Sequence, residues 1–467
     1  MYDKVYLRKV FEKMRTQNIQ PVTNPDQIRA LIAHEKSVGA YRPIGWSSYA
    51  APLKPNAISN ESLVLHCTKC NNNTSGIYEV ADVIRRCPAC RSLLMYCPAC
   101  KSCASATEKF SVISCDRCSA DFVTNTTVEY LASRDRASRE IVLSGIRAIG
   151  ELHLGNLFGA VQQFVEYEHG DNFCMYFIAD WHTLTTLRDP RKVALNSLAI
   201  ATDYLAAGLN PERSVIYSQS SVPEIAELAL YLSMVQPKLQ LEHLPTVKDL
   251  AKDKHSTMYM GHLHYPLLMA ADILGPKATL VPVGYDQAPN VELAMSLADK
   301  FNRQFGTTFV TPKMSLNKVV PGLAGGKMGK SNEDSSVLLS DTLDQISEKY
   351  LRYGITDKRR STRSAPGNPS QCVSVYPMYE ALLEKRPEEI KIVETECREG
   401  SRGCRECKLQ LSREIDALLQ PFRERRAELS EKQKYVEEVL HYGGLKAREI
   451  IQHTLWEVRE RLGILSH

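Results

Sequence analysis

The sequence predicts an α/β fold, in which a parallel, doubly wound sheet domain is preceded by a small cysteine-rich module and followed by an all-α domain. Three observations predict it. Strand-like apolar runs alternate with helical patterns up to Ser340, the sequence beyond it is almost wholly helical in period, and nine cysteines lie between Cys67 and Cys118. The expected parts are a helical extension (1–60), a cysteine-rich module (61–135), the sheet domain (139–335) and the helical domain (336–467).

The sheet domain is expected to contain four strands and at least two intervening helices. The strands are IVLSG, FCMYFIAD, SVIYSQS and ATLVPVG, and the helices are LGNLFGAVQQFVEYEHG and RKVALNSLAIATDYLAAG. Strands separated by helices of this length are typical of a parallel sheet. The chain closes on another helical pattern, KAREIIQHTLWEVRERLGIL.

Composition is that of an ordinary globular protein, with 43% hydrophobic and 24% charged residues among 467. The net charge of +4 does not by itself indicate a nucleic-acid partner, and basic runs such as KRR at 358–360 are equally consistent with solvated helix surfaces. No apolar stretch approaches the roughly 20 residues that span a bilayer. The first helix is charged and lacks the apolar core of a secretion signal, so a cytoplasmic location is expected.

Fourteen cysteines in such a protein are better explained by metal binding than by disulfides. The N-terminal module contains four CxxC pairs: Cys67/Cys70, Cys87/Cys90, Cys97/Cys100 and Cys115/Cys118. Two CxxC pairs about 16 residues apart are typical of a zinc ribbon, and eight thiolates fit about two structural Zn²⁺ ions. Sequential pairing and nested pairing, with 67/70 joined to 115/118, both remain open. Cys103 is a ninth thiol, and Cys174 is expected to be buried in a strand.

Two glycine-containing stretches could bind phosphate groups. In SGIRAIGELHLGNLFGA (144–160) a strand ends at Gly145 and a helix is expected to begin near Leu154, so its N-terminal N–H groups would face an anion. In GGKMGKS (325–331), Lys327 and Lys330 could follow a departing pyrophosphate. Each stretch taken alone is equally consistent with packing or with an exposed turn.

A third stretch predicts an aromatic-ligand pocket. On a helix Tyr265, Met269 and Asp272 stand at i, i+4 and i+7, so that they share one face. An aromatic ring, a thioether and a carboxylate suit a flat apolar ring that carries one hydrogen-bond donor, such as indole, whose N–H Asp272 would accept. The alternative is an ordinary helix carboxylate among core residues.

Together these stretches resemble a known family. HLGN and KMGKS resemble the HIGH and KMSKS elements of class I aminoacyl-tRNA synthetases, and LHYPLLMAADILGPKATLVPVGYDQ resembles the specificity segment of the tryptophanyl-tRNA synthetase family. The same family is also resembled by SGIR, FIADWHTLTT and KAREI. The resemblance extends nearly continuously from about Ile141 to the C-terminus. The resemblance implies a Rossmann-like class I catalytic domain, a homodimer, and ligation of L-tryptophan to tRNA(Trp) with ATP and Mg²⁺.

The resemblance also implies residue roles. Gln287 would contact the tryptophan amino group, Asp286 would support the site, and His182 would line the pocket. ATP would be held by Gly145, Arg147, His153, Gly155, Asn156, Asp286, Lys327 and Lys330. Catalysis would come from positioning and charge stabilisation by His153, Asn156, Lys327 and Lys330, with no nucleophilic side chain.

A second cysteine cluster lies in the helical domain. Its quartet is Cys372, Cys397, Cys404 and Cys407. Four thiolates can hold zinc or an iron–sulfur cluster, and the spacing alone does not decide between them. The segment resembles that of a bacterial subset of the family that carries a [4Fe–4S] cluster near the anticodon-binding region, so a cluster is expected here.

The sequence departs from the family at three places. Ala148-Ile149 replaces Pro and a hydroxyl residue, Tyr285 replaces the acidic residue of VGEDQ, and Gly329 replaces the serine of KMSKS. Two alternatives therefore remain for the protein's function. One is a synthetase paralogue with a non-translational role, and the other is a catalytically silent zinc-ribbon protein with an RNA-binding or regulatory role.

Overall fold

The computed structural model divides the chain into two units, Met1–Val128 and Glu129–His467, which are described separately. The structure describes residues 63–66, 73–76, 84–86, 93–97, 102–109, 112–119 and 121–123 of the first unit, and 139–170, 172–245, 247–248, 257–317, 320–326, 328–329 and 336–464 of the second. The helical extension expected over 1–60 lies outside the described residues, and the four-part division stays a prediction.

The described part of the first unit consists of antiparallel strands. They are β1 (Leu63–His66), β2 (Asn73–Gly76), β3 (Ile84–Arg86), β4 (Leu93–Cys97), β5 (Ser102–Lys109), β6 (Val112–Cys115) and β7 (Asp121–Val123). β1 pairs with β2, and β3 to β7 form a second sheet in chain order. Cys97 ends β4 and Cys115 ends β6, on either side of the central β5.

The second unit is built on a five-stranded parallel sheet, which confirms the predicted α/β class. Its strands are β8 (Ile141–Ile146), β9 (Phe173–Ile178), β10 (Ser214–Ser218), β11 (Leu280–Val283) and β12 (Lys313–Leu316). Their order is β10-β9-β8-β11-β12. All pairs are parallel. The first four were predicted, whereas β12 was not.

The middle of this sheet is apolar on both faces. All six residues of β9 are buried, as expected for a parallel strand that is covered on both sides by helices. Gly145 of β8 lies opposite Phe177 of β9 in the register. A Cβ atom at Gly145 would lie 2.7 Å from the Phe177 ring, so this strand end has no room for a side chain.

Helices surround the sheet and then form the C-terminal region. They are α1 (Leu154–Asn156), α2 (Gln162–His169), α3 (Asp180–Thr183), α4 (Pro190–Ala206), α5 (Glu224–Met234), α6 (Lys238–Glu242), α7 (Met260–Leu274), α8 (Ala288–Phe305), α9 (Leu343–Tyr353), α10 (Val375–Leu382), α11 (Pro387–Glu399), α12 (Cys404–Glu431) and α13 (Gln433–Arg461). A π-helical turn, Leu157–Val161, joins α1 to α2.

Local sequence explains several helix ends. The Asp189 side chain accepts the N–H of Arg191 and Pro190 opens α4, a favourable start because proline has no N–H to leave unpaired. α11 ends at Gly400, whose φ of 73° suits glycine.

α13 packs back onto the sheet domain. Gly443 lets its backbone approach β10, since a Cβ at this position would collide with the carbonyl of Ile216. Within the described residues, no helix combines the length and the apolar character needed to cross a bilayer.

Candidate active site

A cavity of about 960 Å³ opens at the carboxyl ends of β8 and β11. The strand order reverses at this point: from β8 the chain continues to β9 and β10 on one side, while β11 lies on the other. Open α/β sheets bind ligands in the crevice that such a reversal leaves. Ser144 to Arg147 line the cavity from the first strand end, and Val283 to Gln287 line it from the second.

The HLGN stretch forms the beginning of a helix at one wall of this cavity. His153 is the N-cap of α1, and its Nδ1 accepts the backbone N–H of Asn156 at 3.2 Å. The Asn156 side chain accepts the backbone N–H of His153 in return, also at 3.2 Å. His153, Gly155 and Asn156 all line the cavity. The helix start expected near Leu154 is therefore confirmed.

GGKMGKS approaches the same wall. Met328 and Gly329 line the cavity, and the Gly155 N–H lies 3.2 Å from the Met328 sulfur. Gly325 and Gly326 have φ values of 85° and 72°, a left-handed backbone that glycine adopts without strain. Lys327 and Lys330 lie outside the described residues, so their roles stay predictions.

The predicted aromatic-ligand face lies across the cavity. Tyr265, Met269 and Asp272 of α7 all line it, and Asp272 is 0% exposed. Burial raises the pKa of the Asp272 carboxyl well above its ordinary value, although a hydrogen bond from Gln219 lowers it. A buried carboxylate needs donors, so this position favours a ligand that brings an N–H group.

His182 is also buried at this wall and connects to Asp272 through Gln219. The Gln219 Nε2 donates to the two Asp272 oxygens at 2.9 and 2.8 Å, and it lies 3.0 Å from His182 Nδ1. His182 Nε2 lies 3.2 Å from the carbonyl oxygen of Tyr265, which can only accept. The neutral ring therefore carries its proton on Nε2. Burial lowers the pKa of His182 to about 4, so the ring is neutral at physiological pH.

The turn after β11 supplies further polar groups. Gln287 Nε2 donates to Asp286 at 3.0 Å, and Asn290 donates to Gln287 Oε1 at 3.0 Å. Both Asp286 and Gln287 line the cavity. Arg147 lines the cavity from the carboxyl end of β8, and its charge helps lower the pKa of His182. The described members of the predicted substrate and ATP sets are thus brought into one cavity.

Two residues of this site were missed in the sequence. Gln219 follows β10, a place where open α/β sheets put ligand-binding groups, and that position was the available signal. Met328 lies in GGKMGKS, for which only the two lysines were assigned a role, and nothing local in that stretch indicated the contact of Met328 with Gly155.

The cysteines of the first unit come together in part. Among the described residues, one group of three metal-ligating side chains has all its ligand atoms within 4.8 Å: Cys97, Cys115 and Cys118. Cys97 Sγ lies 3.5 Å from Cys118 Sγ. This grouping matches the sequential pairing that the sequence left open. Cys67, Cys70, Cys87, Cys90 and Cys100 lie outside the described residues.

The C-terminal quartet is arranged differently. Cys404 and Cys407 open α12, Cys397 lies near the end of α11, and Cys372 follows the turn Pro369–Gln371. Burial raises the pKa of Cys372 to about 11 and the pKa of Cys407 to about 12, and the charges of the neighbouring thiols contribute a smaller part of each increase. All four are described, yet no three of them lie within 4.8 Å of one another. No three of these sulfurs are therefore as close together as those of Cys97, Cys115 and Cys118.

The known proteins that this chain resembles agree with the function that the cavity geometry suggests. The family "tRNA synthetases class I (W and Y)" matches residues 136–420, and the chain belongs to this family. A tryptophan–tRNA ligase of Thermotoga maritima is 39% identical over 333 residues, covering 69% of this chain and 99% of the relative. One of Aquifex aeolicus is 33% identical over 397 residues, with the same coverage. The predicted family is confirmed.

Solved structures support the same conclusion. A tryptophanyl-tRNA synthetase from Campylobacter jejuni, complexed with ADP and tryptophan, is 32% identical with a TM-score of 0.61. It covers 70% of this chain and 99% of the other. The enzyme from Mycoplasma pneumoniae is 26% identical with a TM-score of 0.60. The class I Rossmann-like fold is confirmed for the second unit, whereas the zinc-ribbon module stays a prediction.

Proposed function

We propose that this protein is a tryptophan–tRNA ligase, which activates L-tryptophan with ATP and transfers it to tRNA(Trp). One observation carries the proposal: a single cavity brings the HLGN helix start and Met328 together with the Asp272 face of α7. A phosphate-binding element and an amino-acid pocket on either side of a sheet reversal are the two halves that adenylate formation needs. The similar proteins named above carry this activity in their names.

The tryptophan half is assigned to the α7 face and its neighbours. Asp272 would accept the indole N–H, while Tyr265, Met269 and His182 would enclose the ring. Gln287 would contact the amino group from the β11 turn. A site built around a buried acceptor rejects ligands that lack the donor, because the carboxylate would then lose a partner.

The ATP half of the site is assigned to the carboxyl end of β8 and to α1. Gly145 lets the nucleotide approach the strand, and Arg147 and Asp286 are placed at the cavity walls. His153, Gly155 and Asn156 form the cavity wall where the phosphates would lie. The first backbone N–H groups of α1 already have protein partners, so the expected anion-binding helix end does not carry this assignment. Lys327 and Lys330 would bind pyrophosphate. Bound Mg²⁺ would neutralise charge on the phosphate oxygens.

The proposed reaction is in-line attack of the tryptophan carboxylate on the α-phosphate of ATP, which releases pyrophosphate. The resulting adenylate then passes its acyl group to a terminal hydroxyl of tRNA, releasing AMP. In both steps the protein positions groups and stabilises charge, and no side chain becomes covalently attached.

The test is tryptophan-dependent exchange of pyrophosphate into ATP, followed by charging of bulk tRNA. We expect both activities. Exchange without charging would indicate the non-translational paralogue, and the absence of exchange would favour the catalytically silent RNA-binding or regulatory protein.

We assign different metals to the two cysteine clusters. Four thiolates on one tetrahedral Zn²⁺ lie about 3.8 Å apart, given a Zn–S length of about 2.3 Å. Cys97, Cys115 and Cys118 approach this spacing. A [4Fe–4S] cluster binds each thiolate to a different iron, so its ligands stand farther apart. On this spacing we assign Zn²⁺ to the first unit, and the resemblance of the C-terminal segment to the cluster-bearing subset of the family supports a [4Fe–4S] cluster at Cys372, Cys397, Cys404 and Cys407.

A second copy of the chain is the proposed partner at an apolar surface beside the site. Leu184, Leu230 and Tyr259 are 46–48% exposed and line a surface cavity of about 380 Å³ next to α7. Exposed apolar patches often mark interfaces. Leu230→Glu should shift a dimer towards monomer in light scattering coupled to size exclusion.

We place the protein in the cytoplasm, where translation takes place and thiols stay reduced.

A further inference from the structure

The segment that follows GGKMGKS is bound directly to the segment that leads into HLGN. The backbone N–H of Leu154 donates to the carbonyl of Val337 at 2.9 Å, and the N–H of Leu339 donates to the carbonyl of Leu152 at 3.0 Å. These bonds flank an antiparallel bridge. The chain that leads into HLGN and residues 337–339, which follow GGKMGKS, are therefore anchored to each other by their backbones.

One residue of α12 reaches the HLGN side of this bridge. Arg426 Nε donates to the buried carboxylate of Asp203 at 2.6 Å, and its guanidinium lies 3.8 Å from a Glu151 oxygen. Asp203 also accepts the backbone N–H of Leu152, the residue before His153. Arg426 thus reaches the helix start through one buried carboxylate.

A second residue of α12, one turn earlier, reaches the other side. Arg423 donates to the carbonyl of Asp341 at 2.5 Å and to Asp416 of its own helix. The Asp341 carboxylate in turn accepts the backbone N–H of Leu338 at 2.8 Å and the ammonium of Lys349 at 2.6 Å. Residues three apart on a helix share a face, so one turn of α12 holds both segments.

We propose that Arg426 and Arg423 are positioning residues for ATP binding, which fix HLGN and residues 337–341 in one relative arrangement; the proposal rests on the proposed function. Asp203 is buried, so loss of Arg426 leaves a carboxylate without its cation. The chain at Leu152, whose N–H Asp203 accepts, would then shift, and His153 with it. Misplacement of a binding group by about 1 Å can cost up to a hundredfold in rate.

The experiment compares Arg426→Ala, Asp203→Asn and the double variant in tryptophan-dependent ATP–pyrophosphate exchange. We expect KM for ATP to rise roughly tenfold in each single variant. The double variant should be no worse than the singles, because both residues act through one contact. Tryptophan affinity, measured by calorimetry without ATP, should stay within about twofold, since α12 makes none of the contacts described around Asp272.

Arg425→Ala is the matched control, because it removes the same charge from the same turn of α12 at an exposed position. It should leave KM for ATP unchanged. Should Arg426→Ala fail to fold, Arg426→Lys keeps the cation and should retain most of the wild-type ATP affinity, whereas Asp203→Asn should not. A wild-type KM in Asp203→Asn, with only the melting temperature lowered, would reduce the pair to a purely structural contact. Wild-type protein without any exchange would instead contradict the proposed function, and direct ATP binding would still test the pair.

Discussion

The backbone N–H of Gly155 donates a hydrogen bond to the sulfur of Met328 at 3.2 Å. Met328 is 3% exposed, so GGKMGKS is packed against the start of α1 through this one side chain. A thioether is a weak acceptor, and the contact therefore matters more for position than for energy. It also leaves little space, since a Cβ at Gly155 would lie 3.1 Å from the Met328 Cβ and 3.0 Å from His153 Nδ1.

Gly155→Ala should therefore separate the two nucleotide-binding elements. We expect adenylate formation to slow roughly ten- to a hundredfold, because His153 or Met328 must move to admit the methyl group. Tryptophan affinity should not change. Gly261→Ala is the control, since its Cβ would meet only Thr185 at 3.8 Å, an ordinary contact. Wild-type exchange rates in Gly155→Ala would show that this close approach has no role in catalysis.

The second prediction concerns the acceptor in the tryptophan pocket. Asp272→Ala should weaken tryptophan activation by up to a few kcal/mol and relax the rejection of phenylalanine-like analogues, because the buried acceptor is gone. Steady-state exchange with both amino acids measures it. The exposed Asp344 of α9 offers a control, and Asp344→Ala should behave as wild type. Unchanged selectivity in Asp272→Ala would remove indole recognition from this residue.

The third prediction is a pH dependence of stability from His182. The native ring takes up a proton only near pH 4, whereas an unfolded histidine does so near pH 6.5. The unfolded chain binds more protons between these values, so this residue makes stability fall as the pH falls from 6.5 to 4. The loss amounts to at most about 3 kcal/mol.

Denaturant unfolding at several pH values, compared between wild type and His182→Gln, isolates this contribution. The difference in free energy of unfolding between the two should shrink as the pH falls through the window. His169→Gln, at an exposed position, should leave the wild-type dependence in place. A constant difference from pH 7 to pH 4 would mean that the native imidazole accepts a proton as readily as an unfolded one.

The fourth prediction concerns the metals. Protein purified without oxygen should be brown and contain about two zinc and about four iron per chain. Cys404→Ser should lose the iron and the colour, keep the zinc, and impair tRNA charging more than tryptophan activation. Colourless wild-type protein with about three zinc per chain would contradict the iron–sulfur cluster and show that the C-terminal quartet binds a third zinc.

Much of the fold could be predicted because its strands are continuous apolar runs. FCMYFIAD, SVIYSQS and ATLVPVG each contain a strand of the sheet, and IVLSG lies within β8. β12 escaped because Lys313–Leu316 is a four-residue edge strand with no buried residue, and its pattern does not differ from that of a loop.

The site divides in the same way. Tyr265, Met269 and Asp272 could be grouped because helical periodicity alone places them on one face. The contacts of Asp272 with Gln219 and of Arg426 with Asp203 join residues far apart in the chain, and such pairs leave no periodic signal. The family resemblance, and not the pattern of these residues, implied most of the roles at the cavity.

The close approach of α13 to β10 has a consequence for behaviour in solution. β10 is an edge strand, and edge strands invite pairing with a second chain and thus aggregation. Because Gly443 has no side chain, the α13 backbone lies against Ile216 and covers part of this edge. A larger residue at 443 would lift the helix away from the strand. Its first effect would then be insoluble protein during expression, before any change in catalysis could be measured.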